Sequence, residues 1–121
     1  MKPVALSLLL LAALPAAASA AETRCGWIVN PSPANWWLTD AQGEWIMSTQ
    51  GGDQAEGMDD LPDFTEGEWV VSNGGSYGHG CGCMRVDTEE GDWKAITRIY
   101  SVKQLPLKTC SADPALPQLD Q

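Results

Sequence analysis

The chain has 121 residues and a formal net charge of −9, with 16 acidic against 7 basic side chains. That length holds one compact core. The acidity repels phosphate backbones and anionic lipid surfaces, which excludes nucleic-acid and membrane-surface readings and leaves basic proteins, cations or neutral glycans as candidate partners.

The chain starts with Lys2, an apolar run from Val4 to Leu14, then Pro15 and the small-residue sequence Ala18-Ser19-Ala20. This pattern predicts a signal peptide over residues 1–20 cleaved near Ala20, and one small β-rich domain over 21–121 in the periplasm or outside the cell. The apolar run is too short for a membrane span. Cys25 lacks the small apolar residues a lipid-attachment site needs before it. In an exported chain the four cysteines, Cys25, Cys81, Cys83 and Cys110, are expected to form disulfides. Their one C-x-C and two singletons differ from the paired spacing of structural zinc sites. Cys81 and Cys83 would share one face of a strand, and a bond between them would close a strained ring. The expectation is that Cys25 bonds one of the pair and Cys110 the other, tying both ends of the domain to one strand.

Apolar alternation of period two, broken by Gly and Pro turns, predicts an all-β domain, a small antiparallel barrel or sandwich of about five strands with little helix outside the leader. Trp36-Trp37-Leu38-Thr39 reads as a strand, Asp40 to Gly43 as a turn and Glu44 to Thr49 as the return strand, with Trp45 and Met47 on one face. Gln50 to Asp63 is a polar, acidic connection with a short helical turn within 53–60. Glu68 to Ser72 is a third strand, Asn73 to Ser76 a loop and Gly80 to Val86 a fourth strand. Trp93 to Val102 is the fifth and the most regular, with Met84 and Val86 facing Ile96 and Tyr100. The tail is expected to be irregular from about residue 111.

Six tryptophans against one phenylalanine point to a core of few, large rings. Trp36 and Trp37 are adjacent, so on a strand they face opposite ways: both are core rings if both faces are covered, and otherwise one indole lies at the surface. With Asn35, Asp40 and Gln50 near it, such an indole could stack on a sugar or a peptide. His79, the single histidine, is expected in an exposed glycine loop. The speculative binding set is therefore Asn35, Trp36, Trp37, Asp40, Gln50 and His79. The acidic run Asp53, Glu56, Asp59, Asp60, Asp63, Glu66 and Glu68 lacks EF-hand spacing and reads as a solvated loop able to meet a basic patch. No catalytic residue, metal site or cofactor is expected.

Several short motifs occur together in order: Arg24-Cys25-Gly26-Trp27, Asn30-Pro31, Asn35 to Asp40, Gly43-Glu44-Trp45 and Gln50-Gly51-Gly52. They continue as Tyr77 to Cys83, then Leu105-Pro106-Leu107 with Cys110. From about Arg24 to Cys110 the chain resembles the bacterial secreted domain of unknown function DUF4087. The resemblance implies a small exported domain and no activity. The leading expectation is a monomeric, non-enzymatic binding or inhibitor-like module for a basic protein or envelope glycan. The alternatives are a small envelope enzyme using carboxylates on glycan, or a structural, stress-tolerance protein.

Overall fold

The computed structural model describes residues 2–5 and 20–119. The expected leader lies largely outside them. The domain is all-β, with six strands: β1 Glu22–Ser32, β2 Asn35–Asp40, β3 Gly43–Ser48, β4 Trp69–Val71, β5 Gly78–Glu90 and β6 Lys94–Leu105. Two 3-10 turns, Met58–Asp60 and Phe64–Glu66, lie between β3 and β4, and one short helix, α1 Leu107–Ser111, follows β6.

β1 pairs antiparallel with both β2 and β5, so the sheet closes in the order β1-β2-β3-β6-β5-β1, with β4 riding on the start of β5. Such curvature needs strands that approach closely on the concave side. Glycines supply it. Gly26 and Gly82 face each other across β1 and β5, and a Cβ on Gly26 would stand 2.1 Å from the Thr39 carbonyl oxygen. The one parallel contact, between β3 and β6, is a single pair, Ile46 with Ala95. Beyond it, residues 54–56 wedge into the seam. Ala55 N donates to Met47 O, Glu56 N to Thr97 O, and Ile99 N to Glu56 O.

Alternation along β1 and β5 produces two cores. Ile28, Leu38, Trp45, Met47, Met84, Val86, Ile96 and Ile99 fill the interior together with Ala55 and Phe64. On the outer face of β1 and β5, Trp27 and Cys81 pack with Cys110 and Leu116 beneath α1 and the segment after it. Trp27 Nε1 donates to Pro117 O at 2.9 Å, pinning that segment. The disulfides are Cys25–Cys83 and Cys81–Cys110, one of the two crossing patterns expected.

Three expectations are corrected. β1 was not anticipated as a strand: Gly26, Trp27 and Ile28 are all buried, since one face of β1 meets the interior and the other the C-terminal cover, which erases the alternation. Register between β5 and β6 also differs: Met84 pairs with Val102 and Val86 with Ile99, because two irregularities in the ladder shift the pairing. Finally, His79 belongs to β5, not to an exposed loop, and is only 4% exposed.

Candidate functional site

The six residues singled out in the sequence are spread over the domain, and most serve the fold. Asn35 sits at the start of β2. Its Nδ2 donates to Ser32 Oγ at 2.7 Å, and its Oδ1 accepts from the Gln50 backbone N at 2.9 Å. Asn35 and Gln50 are thus brought together, as a clamp between the β1–β2 turn and the loop after β3. Trp36 is half-buried and lies 5.8 Å from Phe64 and 6.3 Å from Trp69 between ring centroids, closing one end of the interior. Trp37 is half-buried as well, on the opposite face, paired with Val29 and Ile46. Both indoles are thus partly covered: Trp36 packs against the interior cluster, and Trp37 lies on a strand paired on both sides.

Asp40 lies at the far end of β2. Its Oδ2 accepts from Arg24 Nη1 at 2.7 Å, and its Oδ1 accepts from Trp45 Nε1 and from the Gln42 backbone N. This carboxylate is saturated by its own fold. His79 meets Trp27 edge-to-face with centroids 5.3 Å apart, and its Nε2 has no hydrogen-bond partner among the described residues. Burial pushes the imidazole below its ordinary value of 6.5. Among the described residues, no three His, Cys, Asp or Glu side chains come together as a metal-binding group.

A concavity lies elsewhere on the domain. Where β3 and β6 share only one pair, the outer surface opens into a groove of about 750 Å³. Its floor is Ile46, Met47, Ala55, Ala95 and Ile96, and Trp93 stands beside it, 68% exposed. Asp53, Glu89 and Asp92 line the same groove, and no lysine or arginine does. None of these three carboxylates forms a side-chain hydrogen bond or ion pair among the described residues. Such a groove can hold an apolar or aromatic-stacking group on its floor and a cation at its rim.

Sequence reasoning placed Asp53 in the acidic run but read Trp93 as the start of a strand. In the structure Trp93 precedes β6, in a turn where Gly91 N donates to Trp93 O. The signal was present in Glu89-Glu90-Gly91-Asp92-Trp93: an indole within turn chemistry and carboxylates has no strand neighbour to cover it. Trp37, from the original set, pairs with the groove residue Ile46 and so borders the same region.

An acidic, disulfide-tied, closed β domain with one aromatic-rimmed groove defines the class. The family described as protein of unknown function (DUF4087) matches residues 19–117, and the chain belongs to that family. No curated protein and no solved structure gives a significant match. Two disulfides and no free cysteine among the described residues fit an oxidising, exported setting.

Proposed function

We propose that the protein is a periplasmic or secreted binding module without enzymatic activity, and that it presents the groove between β3 and β6 to its ligand. One observation carries this reading: a tryptophan 68% exposed beside an open groove of about 750 Å³. An indole left in water at a groove is a binding feature more than a stabilising one, since it buries little area against its own fold. The groups a cysteine- or histidine-dependent hydrolase would need are engaged in the fold. The four cysteines are bonded, and the single histidine is buried against Trp27. The rigid frame fits an inhibitor-like role, because a preorganised surface loses little entropy on binding.

The test follows the indole N–H resonances of the labelled domain as solubilised envelope peptides and glycan oligomers are added. The expected result is a shift at Trp93 while Trp27 and Trp45 hold. Turnover of any added glycan, lost on substitution of Asp53, Glu89 or Asp92, would replace the binding reading with an enzymatic one.

A further inference from the structure

We propose that the ligand of the groove is an extended basic segment of a partner protein, with an arginine or lysine cation held over Trp93 among Asp53, Glu89 and Asp92. The inference rests on the binding-module reading and adds the charge and chemical class of the ligand.

The lining has one sign of charge. Three carboxylates without ion-pair partners stand around an apolar floor, on a chain whose formal net charge is −9. A low-dielectric wall beside like charges concentrates their field and attracts cations. A neutral sugar could stack on the indole but would leave the carboxylates uncompensated, and an anionic ligand would be repelled. An arginine or lysine uses every part of the site. Its aliphatic stem lies on Ile46 and Ala95, its charged head pairs with carboxylate, and its cation meets the face of the ring.

The same chemistry is built inside this domain. The Arg24 guanidinium lies 3.6 Å from the centroid of Trp45 while donating to Asp40 at 2.7 Å and Glu22 at 3.2 Å. The groove brings the same two kinds of group together, the Trp93 indole and carboxylates, with no lysine or arginine in its lining. The groove lies beside the β3–β6 seam, where an extended segment can lie alongside the strands.

The test uses the full domain and a capped heptapeptide of alternating arginine and serine. Its control is the same peptide with citrulline, the neutral isostere, in place of arginine. Binding is read from the Trp93 indole resonance and from calorimetry at low and at physiological ionic strength. The arginine peptide is expected to shift Trp93 and to weaken with salt. Trp93→Ala, and Glu89→Gln with Asp92→Asn, are each expected to weaken binding about tenfold. Asp59→Asn with Asp60→Asn, which removes equal charge away from the groove, should change it less than about twofold.

Equal binding of the citrulline peptide, or equal loss on neutralising Asp59 and Asp60, would overturn the proposal. If a neutral N-acetylglucosamine oligomer shifts Trp93 and the arginine peptide does not, this inference fails and the binding-module reading stands. If neither ligand shifts Trp93, both fail.

Discussion

Arg24 lies over the Trp45 ring, its guanidinium carbon 3.6 Å from the ring centroid. Trp45 is almost fully buried in the interior, and Arg24 covers its ring face from β1. Glu22 and Asp40 both pair with Arg24, and Asp40 also accepts from the Trp45 indole. This cluster joins the start of β1 to the β2–β3 turn.

Removing Arg24 would leave the Asp40 carboxylate largely buried with one charged partner gone, and would uncover the Trp45 ring. Arg24→Ala is therefore expected to lower the unfolding free energy by about 2–4 kcal/mol, as breaking a buried pair does. Arg24→Lys should recover only part of this, because an ammonium cannot both cover the ring and reach two carboxylates. Urea denaturation of the two variants measures it. A loss below about 1 kcal/mol for Arg24→Ala would mark the cluster as a surface pair.

The two disulfides should respond differently to removal. Cys25–Cys83 links strands already paired in register, whereas Cys81–Cys110 holds α1 and the segment that covers Trp27. Cys81→Ala with Cys110→Ala is expected to cost about 2–4 kcal/mol and to expose Trp27, seen as a red shift in fluorescence and as acrylamide quenching. Cys25→Ala with Cys83→Ala should lower stability by a similar amount but leave Trp27 shielded.

Acid should weaken the outer core through His79. Burial lowers its folded value below the ordinary 6.5, so near and below 6.5 the unfolded chain binds more protons than the folded one. Stability from the neutral imidazole is then complete above about 6.5 and is lost as pH falls through that value toward the folded one. The denaturation midpoint should drop between about pH 7 and pH 5. In His79→Phe the drop should shrink to what the carboxylates alone produce. An unchanged pH slope in that variant would show that His79 does not carry it.

How far the sequence reveals this molecule depends on what each residue faces. The β2–β3 hairpin was readable because Gly43 supplies the left-handed turn residue and Trp45 and Met47 alternate toward one core. The crossing of the disulfides was readable because Cys81 and Cys83 lie two apart on one strand face. β1 was not, since it serves two cores at once. Nor was the placement of His79: Gly78 and Gly80 look like loop residues, yet they are there because Val70 O and the Trp69 ring press against them. The groove depends on a parallel seam with a single pair, a relation between β3 and β6 that no local pattern encodes. Its indole, Trp93, was read into the following strand, although the turn chemistry of Glu89 to Asp92 carried the signal of its exposure.

The glycines of the curved strands give the sharpest mutational contrast. At Gly26 a methyl group would meet the Thr39 carbonyl oxygen at 2.1 Å, and both partners are backbone in paired strands. Neither can yield without breaking the β1–β2 ladder. Gly26→Ala is expected to cost about 3 kcal/mol or more, toward the upper end of overpacking effects. Gly91, between β5 and Trp93, has nothing within 4 Å of the same added carbon, so Gly91→Ala should stay within about 0.5 kcal/mol of the parent. Gly51 separates space from conformation. It is equally open but has φ of 76°, where an alanine Cβ is strained, and Gly51→Ala should cost about 1–2 kcal/mol. Thermal and urea unfolding of the three variants should rank them Gly26, Gly51, Gly91 from most to least damaging. A Gly26→Ala protein as stable as Gly91→Ala would mean that β1 and β2 do not approach as closely as their pairing requires.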